Sequence, residues 1–228
     1  MVYSPLEYLI STLAPLECYI CQTEGAMLCP ECQPEIVDEL TSRCYLCNSI
    51  TSQQRICKYC KSKSALRRVW WLGSYEKVLK ALIFDMKYAR KRAYARSFGG
   101  LLNDALPYLP EHSLVVPIPT ATTRIRQRGF DQAALIAGSF ASLRGLKLSP
   151  VLYRTNQSDQ IGKSRIERQK QMATSQALRN PESVQGRSIL LVDDVLTTGA
   201  SLESAARLLR KHGASHVDAA VVARNLLR

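Results

Sequence analysis

Two adjacent carboxylates and a turn rich in hydroxyl groups follow one another near the C-terminal end of the sequence. Asp193 and Asp194 come directly after the apolar run Ile189–Val192. The turn leads into apolar residues spaced three and four positions apart, a pattern typical of an amphipathic helix. The residues of the turn are Thr197, Thr198, Gly199, Ala200 and Ser201.

This order of residue types suits a ligand that carries both a phosphate and hydroxyl groups. The first N–H groups of a helix and its dipole attract a phosphate, and Gly199 lets the phosphate approach the backbone. The carboxylates must instead face hydroxyl groups, a metal ion or developing positive charge. A ribose 5-phosphate meets both requirements. The alternative is a simple helix cap beside a solvated strand end, but the uninterrupted order of strand, acids, turn and helix favours the ligand site.

A second polar segment follows the strand pattern that begins at Leu114. It opens with Thr120 and Ala121 and continues through Arg124 and Arg128. Open α/β sheets bind ligands at the carboxyl ends of their strands, and guanidinium groups pair well with oxyanions. We therefore expect this segment to bind a diphosphate or a similar anion. A solvated basic face is the alternative.

The segment Arg154–Gln171 is polar, basic and poor in apolar residues. This composition predicts a long loop that runs into a helix, and long loops in compact domains are often lids. Lys163 and Arg165 are candidates to close over a pyrophosphate group. For each of them, an ordinary surface position is the alternative.

Eight cysteines form four Cys-x-x-Cys pairs. A two-residue gap lets a tight turn aim both thiolates at one metal ion, and two such pairs complete a tetrahedral zinc site. The pattern predicts two structural Zn²⁺ ions, because an all-thiolate site leaves no open position for catalysis. In the preferred, sequential pairing, the ligands of the first ion are Cys18, Cys21, Cys29 and Cys32, and those of the second are Cys44, Cys47, Cys57 and Cys60.

Other uses of the cysteines are weaker alternatives. A cross-braced pairing, in which the first pair joins the third, is compatible with the spacing. A disulfide framework requires an oxidising compartment, and the sequence shows no export signal. Iron–sulfur binding is a further alternative, whereas four pairs in series favour zinc.

Charge and cysteine content both change near residue 64. Residues 1–64 contain 5 basic and 7 acidic residues, whereas residues 65–228 contain 26 and 12. We therefore expect a cysteine module at 1–64 and a larger domain at 65–228. A nucleic acid or a phosphorylated small molecule would bind the larger, basic domain. The apolar runs are far shorter than a membrane span, so we expect a cytoplasmic protein with no membrane insertion.

Taken together, these features resemble the ComF family (ComFC- and GntX-like proteins), which is associated with natural DNA transformation and has the type I phosphoribosyltransferase fold. The resemblance covers nearly the whole chain. It rests on the paired cysteines, Pro117-x-Pro119, Arg128–Gln132, Gln160-x-Gly162 and Val192–Ser201. The last of these is similar to the motif with which such enzymes bind 5-phosphoribosyl-1-pyrophosphate (PRPP).

The resemblance implies an α/β fold, with a mainly parallel sheet flanked by helices, behind a small N-terminal zinc module of the four-cysteine type. It implies that Thr197–Ser201 bind the 5′-phosphate of PRPP and that Asp193 and Asp194 are catalytic. The two acids would hold the ribose hydroxyls and stabilise an oxocarbenium-like ring as pyrophosphate leaves. Mg²⁺ would accompany PRPP and neutralise the leaving charge.

The family also has a basic element that Lys87-Tyr88 match. It usually has a glycine shortly after this pair, where the present sequence has Ala89-Arg90. It commonly has an asparagine at the position of Gln171.

Three functions remain open at this point: an enzyme that transfers phosphoribose to an unidentified acceptor, a PRPP-responsive regulator without turnover, and a factor that handles single-stranded DNA. The last would act beside a transformation helicase or another DNA-processing protein. The stretch Arg67–Arg96 supports DNA binding, because it has 9 basic and 2 acidic residues among aromatic ones. A buried strand and a helix with a solvated basic side form the alternative. The aromatic residues are Trp70, Trp71, Tyr75, Tyr88 and Tyr94.

Overall fold

A five-stranded parallel sheet forms the centre of the structure, a computed structural model that describes residues 17–37, 42–155 and 176–225. The strands lie in the order β1-β7-β6-β2-β3. A separate antiparallel pair, β4 and β5, lies outside this sheet. The strands are β1 (Val69–Ser74), β2 (Leu114–Pro117), β3 (Lys147–Leu148), β4 (Leu152–Arg154), β5 (Gln176–Leu178), β6 (Ser188–Leu196) and β7 (His216–Arg224).

Strands β6 and β7 are apolar along most of their length, as expected for strands of a parallel sheet that is covered by helices on both faces. Leu190 and Val192 of β6 pack into the core on one face, whereas Ile189 and Leu191 pack into the core on the other. This alternation follows from the two-residue repeat of a strand. The described α-helices are α1 (Lys77–Tyr88), α2 (Ala93–Ala105), α3 (Thr122–Arg128), α4 (Gln132–Arg144) and α5 (Ala200–Lys211).

Helices α1, α2 and α4 cover one face of the sheet, and α5 covers the other. Asp131 begins α4, where its side chain accepts a hydrogen bond from the Ala134 N–H at 3.2 Å. Gly145 ends the same helix in the left-handed conformation, with a φ of 63°. The expected α/β fold, with a mainly parallel sheet flanked by helices, is confirmed. Among the described residues, no helix has the length and apolar composition that a bilayer crossing requires.

The N-terminal cysteines form two small, similar units. In the first unit, the Cys18 N–H donates to the Thr23 carbonyl at 2.8 Å; in the second, the Cys44 N–H donates to the Ser49 carbonyl at 2.9 Å. A tyrosine follows the first cysteine of each unit: Tyr19 is 41% exposed, but Tyr45 is only 6% exposed. The two units therefore share a local fold and differ in what covers them.

Part of the predicted lid lies outside the described residues, since the described chain stops at 155 and resumes at 176. Arg154, the first residue of that segment, belongs to β4 and pairs with Gln176 of β5. This antiparallel pair was not expected from the sequence, because each of its strands spans only three residues.

Helices α2 and α4 approach closely at Gly99, and this contact allows a test of the packing. A Cβ at position 99 would lie 2.5 Å from the Cβ of Ser139 and 2.9 Å from the backbone nitrogen of Phe140. We expect Gly99→Ala to lower the free energy of unfolding by about 1–3 kcal/mol, the usual cost of overpacking. Urea unfolding of the purified variant measures this change.

The neighbouring Gly100 provides a matched control in the same helix. A Cβ at position 100 would meet no atom within 4 Å. Gly100→Ala should therefore leave the stability unchanged or raise it by up to about 1 kcal/mol, as alanine favours a helix over glycine. Equal losses of stability in the two variants would contradict the proposed close contact.

Candidate functional site

The acidic pair lies near the carboxyl end of β6, the middle strand of the sheet. Asp194 is buried and forms an ion pair with Lys87 of α1, whose Nζ lies 2.9 Å from Oδ2 of the carboxylate. Asp193 accepts a hydrogen bond at 2.8 Å from the backbone N–H of Asp194. Two carboxylates and one ammonium group therefore meet at the edge of the sheet where ligands bind in open α/β folds.

The environment of Asp193 disfavours its negative charge. Burial and the neighbouring charge of Asp194 raise the pKa of Asp193 well above its usual value, while the Lys87 ammonium acts in the opposite direction. Cations or hydroxyl donors brought by a ligand would relieve this repulsion. Such a perturbed carboxyl at a strand end is a feature of functional sites.

The hydroxyl turn links the acids to the start of α5. Gly199 is the residue before the helix and has a φ of 76°, a conformation that glycine adopts without strain. Thr197 and Thr198 are exposed, and the Thr198 hydroxyl accepts a weak hydrogen bond from the Ala200 N–H at 3.4 Å. Ser201 lies in the first turn of the helix. The first N–H groups and the dipole of this helix lie at the same sheet edge as the acids.

The second predicted segment lies beside the first because β2 and β6 are neighbours. Pro117 pairs with Val192, and the Ile118 N–H donates to the Val192 carbonyl at 2.9 Å. Thr120 donates its hydroxyl to Asp131 at 3.0 Å, and Ala121 precedes α3. The structure therefore brings the start of this segment to the carboxyl end of the strand that carries the acids.

The two arginines of this segment lie in different environments. Arg124 is exposed, whereas Arg128 is 7% exposed, with its guanidinium 5.3 Å from the ring centre of Tyr88. Within the described part of the chain, Nη1 of Arg128 has no hydrogen-bond partner. A buried guanidinium with an unused donor is suited to an anionic ligand.

Arg154 joins this group of charges. Burial and the nearby Arg124 guanidinium lower the pKa of Arg154, and Asp193 acts in the opposite direction. The predicted lid residues Lys163 and Arg165 lie outside the described residues.

Some residues of the site were missed from the sequence, although two of them carried a signal. Lys87 belongs to the basic pair that resembles the family element, and Asp131 belongs to the Arg128–Gln132 block. The sequence predicts only that Arg154 begins a loop. Tyr45 had no signal, since its position in a Cys-x-x-Cys turn says nothing about the distant Gly199 that its ring contacts.

The cysteine sulfurs form two separate groups, and within each group the Sγ atoms lie within 4.8 Å of one another. The sequential pairing is therefore confirmed, and the cross-braced alternative is wrong. Four thiolates at this spacing fit a tetrahedral metal site, and a set of sulfur ligands alone favours zinc over magnesium or calcium. The groups are Cys18, Cys21, Cys29 and Cys32, and Cys44, Cys47, Cys57 and Cys60.

The fold and one family match together indicate a domain of the phosphoribosyltransferase type. The family model described as a phosphoribosyl transferase domain matches residues 147–227, which include β6, the acids and the hydroxyl turn. Adenine phosphoribosyltransferase of Mycobacterium avium is 37% identical over 43% of this chain and 52% of its own length.

Two further relatives match most of the chain. Competence protein ComFC of Bacillus subtilis is 28% identical over 82% of this chain and 79% of its own length. DNA utilization protein YhgH of Salmonella typhi is 24% identical over 92% of this chain and 97% of its own length. The chain is a homologue of ComFC and YhgH that carries a phosphoribosyl transferase domain, and the resemblance to the ComF family is confirmed.

The raised pKa of Asp193 predicts how the stability depends on pH. An acid whose pKa is higher in the folded than in the unfolded state destabilises the fold as the pH rises above its unfolded value of about 4. Asp193→Asn removes this charge, and its side-chain carbonyl still accepts the hydrogen bond from Asp194. We expect the variant to unfold at least about 2 °C higher at pH 7, the shift that roughly 1 kcal/mol produces in a chain of this size.

The gain should shrink as the pH falls toward 4, where Asp193 becomes increasingly protonated in the unfolded state as well. Thermal unfolding at several pH values measures it. Asp104→Asn is the control, since this aspartate is exposed and its replacement should change the unfolding temperature little. An equal gain at pH 4 and pH 7 would contradict the role assigned to the charge.

Proposed function

We propose that this protein binds PRPP at the carboxyl end of β6 and acts as a ComF-type competence protein in DNA uptake, where it transfers phosphoribose to an acceptor. The observation that carries the proposal is the meeting of paired acids with an anion-binding helix start at one sheet edge. The relatives support the biological setting, since their names refer to competence and DNA utilization. They favour this role over that of a regulator without turnover.

In this proposal, each part of the ligand faces groups of suitable charge. The turn Thr197–Ser201 binds the 5′-phosphate, while Asp193 and Asp194 hold the ribose hydroxyls. The acids also stabilise positive charge on the ribose ring as the bond to pyrophosphate breaks. Lys87 neutralises Asp194 before the ligand arrives.

The leaving pyrophosphate faces the second segment and the lid. Its proposed contacts on the protein are Thr120, Ala121, Arg124, Arg128, Lys163 and Arg165. Mg²⁺ bound with PRPP would neutralise part of the leaving charge. In this proposal, each of the two four-cysteine groups holds one structural Zn²⁺ ion. Because these thiols must stay reduced to bind the metal, we place the protein in the cytoplasm.

Removal of both acids tests the ligand assignment. We expect Asp193→Ala with Asp194→Ala to weaken Mg²⁺-dependent PRPP binding by at least about 100-fold, since each charged hydrogen-bond acceptor contributes roughly 1.5–3 kcal/mol. Isothermal titration calorimetry measures the affinity. Asp104→Ala should bind as the wild type does. A double variant with wild-type affinity would refute the assignment.

Turnover is tested separately by measuring pyrophosphate release from PRPP in the presence of a panel of nucleobases and amines. Release that depends on one acceptor would identify the reaction. PRPP binding without release across the panel would favour the regulator.

A surface beside the site favours single-stranded DNA as a further partner. The rings of Phe84 and Tyr88, which are 55% and 62% exposed, lie 4.7 Å apart on α1. Arg90 and Arg92, both exposed, follow this helix, so that stacking surfaces and phosphate-binding groups are adjacent. Trp70, Trp71 and Tyr94 are buried in the core, so they are not part of this surface. A DNA-processing protein such as a helicase would bind the same DNA strand.

Replacement of one aromatic ring tests this surface. Tyr88→Ala should weaken oligonucleotide binding by about 5- to 150-fold, since stacking contributes roughly 1–3 kcal/mol per base. Fluorescence anisotropy at several salt concentrations measures the affinity, which should fall steeply with salt. Tyr108→Ala is the control, because Tyr108 is 76% exposed and lies in a different part of the chain. Equal losses in the two variants would contradict a specific surface.

A further inference from the structure

The second cysteine unit reaches the proposed phosphate-binding turn through Tyr45. This tyrosine lies between Cys44 and Cys47, and its ring packs against Gly199. A Cβ at position 199 would lie 2.8 Å from Cε2 of Tyr45, so the ring touches the backbone of the turn. Tyr45 therefore connects the proposed metal site to the proposed phosphate site.

Glu203, in the first turn of α5, joins the second cysteine unit to this helix through hydrogen bonds. Its carboxylate accepts hydrogen bonds from the Tyr45 hydroxyl at 2.5 Å, from the Ala65 N–H at 3.0 Å and from the Ser64 hydroxyl. The Glu203 side chain is mostly buried by these contacts. Because hydrogen bonds to a charged and buried acceptor are strong, they fix the helix start against the cysteine unit.

Arg224, at the end of β7, holds the same turn from the other side. Its guanidinium donates to the Tyr45 carbonyl at 2.9 Å and to the Asn48 side-chain oxygen at 3.0 Å. It also lies 4.7 Å from the ring centre of Trp71. The next residue, Asn225, donates its N–H to the Leu196 carbonyl at 2.8 Å, directly before the hydroxyl turn.

The first cysteine unit contacts a different part of the domain. A Cβ added at Gly73, on β1, would clash with the Ile36 carbonyl oxygen, so this backbone segment packs directly against the strand. Tyr19, which corresponds to Tyr45 by position, lines an open cavity together with Arg92 and Tyr94. Two units of similar local fold thus have different neighbours, and the second is the one that packs against the turn.

We propose that Tyr45 is a positioning residue for the phosphate-binding turn, and that the second four-cysteine group is required for phosphate binding whereas the first is not. A unit this small depends on its metal for a fixed structure, so loss of the metal would release Tyr45. The N–H groups of the turn bind an anion well only if they are held in place beforehand. The ligand in this inference rests on the proposed function; the placement of the turn by Tyr45 does not.

The first experiment measures the turn without any ligand. Hydrogen exchange of the ligand-free protein should become faster at residues 197–203 in Tyr45→Ala, with unchanged exchange in α2 (Ala93–Ala105). Tyr45→Phe, which keeps the ring, should show a smaller change. Tyr19→Ala is the matched control and should leave exchange at 197–203 unchanged. Unchanged exchange at the turn in Tyr45→Ala would overturn the positioning role.

The second experiment measures binding with ribose 5-phosphate and inorganic pyrophosphate as probes. Tyr45→Ala should weaken ribose 5-phosphate binding about tenfold or more, as expected when one or two hydrogen-bonding contacts to the phosphate are lost. Pyrophosphate binding, which the second segment would provide, should not change. An equal loss for both probes would indicate general damage and overturn the inference. Failure of the wild type to bind ribose 5-phosphate and PRPP would refute the proposed function, while hydrogen exchange would still decide the role of Tyr45.

The third experiment compares the two metal groups. Cys21 and Cys47 are the second cysteines of their units, and both are exposed. Cys21→Ser and Cys47→Ser should each lower the zinc content by one ion per chain, measured by elemental analysis. Only Cys47→Ser should weaken ribose 5-phosphate binding and accelerate exchange at 197–203. Equal effects of the two variants would overturn the assignment to the second group. If Cys47→Ser fails to fold, Tyr45→Ala, which keeps all eight thiols, decides the question.

Discussion

The placement of two adjacent carboxylates at the end of a buried parallel strand is the constraint on which the rest of the site depends. Asp193 and Asp194 repel each other, and both are partly or fully withdrawn from water. The fold compensates with Lys87 from α1 and with the positive end of α5. Because β6 lies in the middle of the sheet, neighbouring strands bring a second polar segment to the same edge.

Several features of this arrangement could be read from the sequence because they are local. The apolar run of β6, the acids after it and the amphipathic α5 are consecutive, and a parallel sheet places such a turn at its ligand-binding edge. The cysteine pairs likewise predicted two groups, because a Cys-x-x-Cys turn fixes two ligands by itself. The sequence did not predict which residues of the larger domain each cysteine group contacts.

The missed contacts join residues that are far apart in the chain. Tyr45 and Glu203 are separated by 158 positions, and neither residue type indicates which distant residue it will contact. Lys87 belongs to a recognisable basic pair, yet its ion pair with Asp194 depends on how α1 packs against the sheet. Trp70 and Trp71 are buried although β1 lies at an edge of the sheet, because Trp70 packs into the core on one face and Trp71 into the core on the other. Such facts are set by tertiary packing, which local patterns do not encode.

The contacts of Glu203 bear on how the chain can be divided. Composition changes near residue 64, and a shortened protein beginning at residue 65 would be a natural choice for expression. Such a protein would lose Tyr45 and Ser64, two of the donors to the Glu203 carboxylate, and would uncover Gly199. Arg224 would also lose both of its acceptors, the Tyr45 carbonyl and Asn48. Truncation would thus remove much of the hydrogen bonding of two charged side chains. The second cysteine unit is therefore better treated as part of the larger domain than as a separable module.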